Sequence, residues 1–472
     1  MKIDPGGAAG RRQKGTPPKK TKGRPGEKVL LFLAAILLAL ALGASAAAAR
    51  GAEDPQRGGP QEGEALPGPV DFDGAARLAL RQSPYFTKSS LEIEVKRLDE
   101  TDSRYDLIPP ITFRTQYYVN QPSERSVNNR AYSLNFISNN YNPMEAYFTL
   151  QGRKLLTQIA VLAHLKAISE GLQRMGRMFL EMEALQQAAA HQDNLIELAR
   201  RNLTYFQNRL RIGTVTSLEI KLATQEMAGA QAEKERIAYS QKRLRESLQT
   251  FMGLKPGQPL NLDLKEARRQ LTGNFDPATA SLEQARSRSY ELKIAALKKQ
   301  LQKYHILMAK ARLLPSLFFA MQTPDPLSTT QTRDLFFSVG LEVPVWDGFK
   351  RLRNISRQKT IMRQVDVEID EMEFDLGGKW REAQENLRAA DVSRKSAQAQ
   401  EELARLRERQ SEIRYHSGGV PLDVYLEGRK GRVDAERNAL LKTLDYDLAV
   451  LGLRRLSGDL GATYVDERSW QE

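Results

Sequence analysis

The feature that most constrains the fold is an internal duplication of the sequence at a fixed offset. The segment LIPPITFRTQYYV resembles LLPSLFFAMQTP, with Pro110 corresponding to Pro315, 205 positions later. The segment NRLRIGTVTSLEI resembles EIRYHSGGVPLDV, with Gly213 corresponding to Gly418 at the same offset. Because two landmarks about a hundred residues apart keep one offset, both halves of the chain follow one plan.

The spacing of apolar residues predicts the same order of elements in each half: a helical lead-in, two extended segments, a very long helix, a glycine turn and a shorter helix. Residues 71–274 form the first predicted repeat, residues 275–462 the second, and residues 463–472 a C-terminal tail. The predicted helices are Asp71 to about Arg104, Leu155–Arg211 and Ser217–Phe251 in the first half, and about Thr279 to Ala311, Phe349–Tyr415 and Leu422–Leu456 in the second.

The two long helices are too long for a compact domain. At 1.5 Å per residue they would reach roughly 85 Å and roughly 100 Å. Their Ala, Gln, Glu, Arg and Leu content is typical of coiled coils, so a solvated coiled-coil rod is the competing interpretation.

The extended segments alternate apolar and polar residues, which predicts strands with one face for hydrocarbon and one for water. A half-buried sheet of a soluble sandwich would show the same alternation. The predicted segments are Ile111–Asn120, Tyr132–Ser138 with an extension to Leu150 left open, Ser316–Gln322 and Leu335–Trp346.

The N-terminus predicts export from the cytoplasm. Residues 1–28 hold nine Lys or Arg and two Asp or Glu, and the fourteen apolar residues Val29–Leu42 follow. We interpret residues 1–49 as a signal peptide with a long basic region, cleaved after Ala46 or Ala49; an uncleaved inner-membrane helix is the alternative. The Gly, Pro and Glu content of residues 50–70 predicts a disordered leader that buries nothing.

Composition argues against several classes of function. The net charge is +13, but +7 of it lies within residues 1–28, so the mature chain lacks the basic excess expected of a nucleic-acid-binding protein. The chain has no cysteine, and its four histidines show no metal-ligand spacing. We therefore expect no enzyme activity, no cofactor and no metal site.

Three stretches carry a resemblance to a known family. The strand-to-helix junction VPVWDGFKRLRNI and the turns RIGTVTSLEIKLATQEM and YHSGGVPLDVYLEG are similar to those of the TolC-type outer-membrane efflux proteins, and the resemblance covers Asp71 to about Leu460. It implies a mainly α fold with a small membrane β-part. Three chains would each give four strands to one twelve-stranded β-barrel, above a trimeric α-helical barrel that crosses the periplasm.

The physics of membranes leads to a similar expectation. Four strands cannot close a barrel alone, and open strand edges cannot face lipid, so an outer-membrane location requires oligomerisation. At the junction between sheet and helix, Gly348 would supply backbone freedom and Asp347 could cap the helix.

The resemblance also names residues at the end where long and short helices meet. It implies a constriction with an acidic ring, for which Asp423 is the candidate, with Glu219 as the acid of the other turn and Tyr415 as a hydrogen-bonding residue that holds the end closed. Simple stabilisation of the helix start by the macrodipole is the competing explanation for both acids. The adaptor-contact candidates are the turn residues Gly213, Thr214, Gly418 and Gly419.

One departure from the family pattern concerns the second turn. Asp423 follows Gly418 by five positions, whereas Glu219 follows Gly213 by six. The second turn is therefore expected to be one residue short, or Ser417 to take the glycine position.

The expected function is that of a passive exit duct of a tripartite efflux or type I secretion system. The implied partners are two further copies of the chain, outer-membrane lipid, a periplasmic adaptor of the membrane-fusion type, and an inner-membrane transporter of the RND, ABC or MFS type. The alternative function is a secreted periplasmic coiled-coil scaffold or adaptor without a pore.

Overall fold

The structure is a computed structural model, and its described part lies within Ala65–Glu472. The described residues are 69–117, 132–255, 258, 260–264, 266–273, 275–323, 336–343 and 345–464. The predicted signal peptide, most of the leader and the end of the tail lie outside them. Val70, at the end of the predicted leader, is buried and pairs with Leu262, so the prediction that the leader buries nothing is wrong at this residue.

Each half contains the same series of six elements, the second half ends with an additional short helix, and a π-helical turn, Arg269–Gly273, lies between the halves. The first half comprises α1 Phe72–Gln82, α2 Pro84–Tyr105, β1 Thr112–Tyr117, β2 Tyr132–Tyr141, α3 Pro143–Arg211 and α4 Ser217–Met252. The second comprises α5 Leu282–Arg288, α6 Tyr290–Ala311, β3 Ser316–Thr323, β4 Phe336–Glu342, α7 Lys350–His416, α8 Leu422–Leu456 and α9 Asp459–Tyr464.

Helix α3 begins 12 residues before its predicted start at Leu155, whereas α7 has the predicted length. Helix α3 has 69 residues and α7 has 67, so each spans on the order of 100 Å. Helix α3 begins at Pro143 because the Asn142 Oδ1 accepts hydrogen bonds from the backbone N–H groups of Met144 (3.1 Å) and Glu145 (3.2 Å). The second strand therefore ends at Tyr141, and the possible extension to Leu150 is wrong.

Each helical lead-in is two helices rather than one. Ser83 and Ser289 have extended backbone conformations that end α1 and α5, and Pro84 then occupies the first position of α2. The prediction of one continuous lead-in helix in each half is therefore wrong.

The four strands form one antiparallel sheet in the order β1-β2-β3-β4. Directly paired residues share a face, so the register extends one apolar face across all four strands. Its members include Phe113, Phe136, Phe319, Met321, Phe337, Val339 and Leu341. The opposite face includes Thr112, Arg114, Asn135, Ile137, Phe318, Ala320, Ser338, Gly340 and Glu342.

The hydrophobic core surrounds the middle of α3. Phe179 is fully buried, and its ring meets that of Phe72 edge-on at 5.5 Å. Buried residues of α1, α2, α4, α6, α8 and α9 and of the segment around Leu271 complete the core. Among the described helices, α3 contains an 18-residue stretch long and apolar enough to cross a membrane, but half of that stretch is buried within the chain, which fits a core helix.

The long helices change neighbours along their length. Helix α3 contacts α2 and α6 towards the sheet, and α4 and α8 towards the glycine turns; α7 contacts α6 and then α8. The sheet and the two glycine turns therefore lie at opposite ends of the long helices, and these two ends hold the candidate sites.

Candidate functional site: a strand-to-helix junction and a pair of glycine turns

At the junction between β4 and α7, the backbone takes two left-handed residues in succession. Gly348 has φ +64° and Phe349 has φ +60°. Asp347 lies just before them, and its Oδ2 accepts a hydrogen bond from the backbone N–H of Arg351 at 3.1 Å. The structure thus places Gly348 where the chain passes from strand to helix, and Asp347 where its side chain caps the first turn of α7.

The junction between β2 and α3 contains an equivalent cap that the sequence analysis missed. Asn142 stands 205 positions before Asp347 and caps α3 with its side-chain oxygen, while its Nδ2 donates to the carbonyl of Ala311 at 2.7 Å. On the second junction, Arg351 Nη1 donates to the carbonyl of Arg312 at 2.5 Å. Applying the 205 offset to Asp347 would have identified Asn142.

The glycine turns at the other end have matching backbones. Gly213 and Gly418 both have φ +75°, and no described atom lies within 4 Å of the position a Cβ would take. Glycine is therefore required there by the backbone conformation rather than by close packing. Thr214 N–H donates to the Arg209 carbonyl (3.0 Å), and Gly419 N–H donates to the Arg414 carbonyl (2.8 Å).

The two turns have the same length, so the expectation of a shortened second turn, or of Ser417 in the glycine position, is wrong. Helix α4 begins at Ser217 and α8 begins at Leu422, again 205 positions apart. What differs is the position of the acid: Glu219 is the third residue of its helix and Asp423 the second.

This difference gives the two carboxylates different surroundings. The Glu219 carboxylate accepts from the Thr216 backbone N–H at 2.5 Å and from the Thr216 hydroxyl at 3.0 Å. These hydrogen bonds, the backbone one first, hold the pKa of Glu219 below its usual value. Asp423 is half-buried, and its Oδ1 has no hydrogen-bond partner among the described residues.

Tyr415 lies against the start of α8. Its ring stacks on that of Tyr425 with centroids 5.4 Å apart and planes 10° apart. Within the described part of the chain, no hydrogen bond joins Tyr415 to Asp423. In a single copy, Tyr415 therefore stacks on Tyr425 and forms no described hydrogen bond with Asp423.

Ion pairs that the sequence analysis did not identify connect the helices near the turns. They are Asp193–Lys234 (2.6 Å) between α3 and α4, Glu408–Arg432 (2.5 Å) between α7 and α8, and Glu226–Lys430 between α4 and α8. The His191 ring of α3 also lies 3.5 Å from the Glu436 carboxylate of α8. Beneath them, Leu195 and Leu198 of α3 pack against Leu426 and Val433 of α8. The spacing of charges along single helices does not reveal such pairs, because each joins two helices.

The turns also differ in surface chemistry. Ile212, Leu218 and Leu222 are exposed at the first turn. The residues 205 positions later are Ser417, Asp423 and Glu427. At these three positions the first turn is apolar and the second is polar or acidic, although Ile413 and Val424 are exposed apolar residues near the second turn. Among the described residues, no group of three or more His, Asp or Glu could hold a metal ion.

No protein-family model and no curated protein sequence matches the chain. Solved structures do match it over most of its length. The chain superposes on CusC with a TM-score of 0.71 at 11% identity, over 82% of this chain and 92% of that one. The chain has the fold of the TolC-type outer-membrane channels.

Two further structures show the same TolC-type fold. The outer-membrane channel CmeC of Campylobacter jejuni matches with a TM-score of 0.69 at 14% identity, over 84% of this chain and 88% of that one. The open state of the MtrE outer-membrane channel of Neisseria gonorrhoeae matches with a TM-score of 0.68 at 15% identity, over 82% and 89%. The mainly α architecture with a small sheet, expected from the sequence, is thus confirmed.

Proposed function

We propose that this protein is a passive channel of the outer membrane, formed by three copies of the chain, through which an export system releases its cargo. The apolar face of the four-stranded sheet carries the proposal. Phe337, Val339 and Leu341 on this face are each more than half exposed in the single chain. A soluble protein would bury such a face, whereas a membrane barrel turns it to lipid.

The edges of the same sheet support assembly. Strands β1 and β4 are its edge strands, and each has a neighbour on one side only within the described chain. Unpaired backbone groups are costly in lipid, so β4 of one copy would pair with β1 of the next until the barrel closes. Three copies of four strands supply twelve, which is within the size range of membrane barrels.

The helical part supplies the periplasmic length. Helices on the order of 100 Å extend far beyond a bilayer, whose hydrocarbon core is about 30 Å thick. We infer that they form a tube across the periplasm, and that the apolar first turn meets a periplasmic adaptor joined to an inner-membrane transporter of the RND, ABC or MFS type. The transporter supplies the energy, and the channel itself acts without catalysis.

At the narrow end, Asp423 is the stronger candidate for a ring of acids. Its carboxylate has an oxygen without a partner in the described chain, whereas the Glu219 carboxylate already caps α4. Three Asp423 side chains around the axis would attract cations and repel anions. A scaffold without a pore, the alternative function, leaves the apolar sheet face unexplained.

Conductance of the purified protein in planar bilayers tests the proposal. We expect discrete current steps, and we expect Asp423→Ala to weaken the preference for cations over anions. Leu218→Ala is the matched control, because Leu218 occupies the equivalent position of the first turn and carries no charge. Absence of any conductance from correctly folded protein would overturn the proposed function.

A further inference from the structure

Within one chain, the second half joins the first through a contact between α3 and α6. At the end of this contact nearest the sheet, the guanidinium of Arg312 pairs with the carboxylate of Glu145 at 2.8 Å. Further along, the rings of Phe148 and Tyr304 lie 6.4 Å apart, and Lys166 pairs with Glu291 at 2.7 Å. The internal repeat makes each of these residues comparable with one in the other half.

The lead-in helices α2 and α6 correspond at an offset of 206. Pro84 and Tyr290 begin the two helices. The residues that follow their last turns are Asp106 (φ −64°, ψ −11°) and Arg312 (φ −66°, ψ −10°), which share one backbone conformation. Asp106 is therefore the counterpart of Arg312.

The long helices α3 and α7 correspond at an offset of 205, as their caps Asn142 and Asp347 and their shared end at the glycine turns show. At this offset, Lys350 is the counterpart of Glu145. The pair Glu145–Arg312 thus corresponds to Lys350 and Asp106, with both charges reversed. Both counterparts are exposed, and neither forms an ion pair with another described residue.

Helix α2 also has an exposed apolar stripe whose counterparts on α6 are partly covered. Leu91, Val95 and Leu98 are 43%, 52% and 61% exposed. Their counterparts are Leu297, Leu301 and Tyr304, which are half-buried on α6. Leu301 approaches Gly152 of α3, and Tyr304 meets Phe148 of α3. The α2 stripe is therefore the surface that a long helix would cover, and no long helix in the described part of one copy covers it.

Helix α7 is the long helix with an uncovered side. Val367 and Phe374 are 65% and 80% exposed, and Arg353 and Arg357 stand where α3 has Phe148 and Gly152. The aliphatic parts of the Arg353 and Arg357 side chains can lie across Val95 and Leu98 while the guanidinium groups stay in water. The order of strands in the sheet also supports contact between α7 and α2, because α2 leads into edge strand β1 and edge strand β4 leads into α7.

We propose that α7 of one copy packs on the α2 stripe of the next, and that Lys350 of the first pairs with Asp106 of the second at each contact between copies. This inference rests on the trimer proposed above. The proposed α7–α2 contact has the same arrangement as the α3–α6 contact within one chain. The charges of the ion pair at the end nearest the sheet are reversed.

The reversed charges favour one arrangement of neighbouring copies over the others. If two first halves met, Glu145 would face Asp106; if two second halves met, Lys350 would face Arg312. Both arrangements bring like charges together at the point where α2 or α6 meets a long helix. Only alternation of first and second halves around the ring places opposite charges at every contact.

Disulfide cross-linking tests the placement, and the chain has no cysteine to interfere. In the variant that carries Asp106→Cys and Lys350→Cys, oxidation in mild detergent should join copies into covalent dimers and trimers. An intrachain link is not expected, because the two positions adjoin opposite edges of a four-stranded sheet, about 14 Å apart, beyond disulfide reach. The matched control, Glu145→Cys with Arg312→Cys, should give no covalent oligomers, and each single-cysteine variant no trimer.

The outcomes separate this inference from the proposed function. Covalent trimers support both. Trimers by native mass that stay unlinked after oxidation overturn the Lys350–Asp106 placement and leave the channel proposal standing. Monomers alone overturn both.

A charge-reversal series gives a second readout. Asp106→Lys alone places two lysines at each contact, and Lys350→Asp alone places two aspartates there, so each should lose trimer in mild detergent. Combining the two substitutions should restore the trimer. If the double variant is as impaired as either single variant, the pairing is wrong.

Discussion

Helices α3 and α7 occupy equivalent positions in two repeats and differ by only two residues in length, yet α3 is largely buried and α7 is largely exposed. Twenty-three residues of α3 are buried, against three of α7, namely Leu376, Trp380 and Ala397. Helix α3 has neighbours on both sides along its length, whereas α7 lies against α6 and α8 and leaves Val367, Phe374 and Val392 exposed. The two repeats thus contain one long helix that the chain buries by itself and one that stays largely exposed in a single copy.

The difference shows how a repeated sequence can make unequal halves. The first long helix carries the core that holds one copy together. The second is largely exposed in one copy, so it can be rich in charge without destabilising the single chain. Substitutions at matched positions of the two helices test this difference.

The largest difference is expected between two phenylalanines. Phe179→Ala in α3 removes a fully buried ring and should cost about 3–5 kcal/mol of unfolding free energy. Phe374→Ala in α7 removes a ring that is 80% exposed, and in monomeric protein it should change stability by less than about 0.5 kcal/mol. Urea unfolding followed by far-UV circular dichroism measures both. Equal losses in monomeric protein would contradict the comparison.

A smaller difference, of opposite sign, is expected between two glycines. A Cβ on Gly171 of α3 would come within 2.5 Å of the buried Phe86 ring, so Gly171→Ala should cost about 1–3 kcal/mol. No described atom lies within 4 Å of a Cβ on Gly377 of α7, and Gly377→Ala should stabilise monomeric protein by about 0.5–1 kcal/mol. The same urea titration distinguishes these signs. A loss at Gly377 would mean that the glycine serves a contact in α7 beyond those of one chain.

The smallest effect is a pH dependence confined to the first turn. Because the folded-state pKa of Glu219 is lowered, its capping contribution is present above the usual pKa of 4.5 and is lost as the pH falls through the folded value. Amide exchange of the first residues of α4, corrected for intrinsic rates, should therefore accelerate on acidification below pH 4.5. Glu219→Gln should abolish this change. The equivalent residue of α8 is Val424, so the same amides there should show no matching dependence.

Sequence reasoning located elements best where local signals are strong. Helix α8 has the predicted bounds, Leu422–Leu456, and α7 begins and ends one residue from its predicted bounds. Glycine turns and caps act within a few residues, so they can be recognised in a sequence. The start of α3 was missed because Tyr147 and Leu150 also fit a continued strand, although the Asn142–Pro143 cap signal was present.

In the candidate sites, too, features set by local sequence could be predicted and features set by contacts between helices could not. The positive φ of Gly213, Gly418 and Gly348 follows from local sequence. That Glu219 caps its helix while Asp423 keeps an unpartnered oxygen depends on a one-residue difference in position, which was misread as a shortened turn. The reversed pair Lys350 and Asp106 could not be predicted, because its counterpart Glu145–Arg312 becomes apparent only when two helices are brought together.

Native mass spectrometry of the purified protein in mild detergent shows how many copies of the chain associate. Within the described residues, the sheet of one copy has two unpaired edges and one apolar face, so we expect a mass equal to three mature chains. A uniform population of monomers, folded by circular dichroism and requiring no detergent to stay in solution, would contradict it.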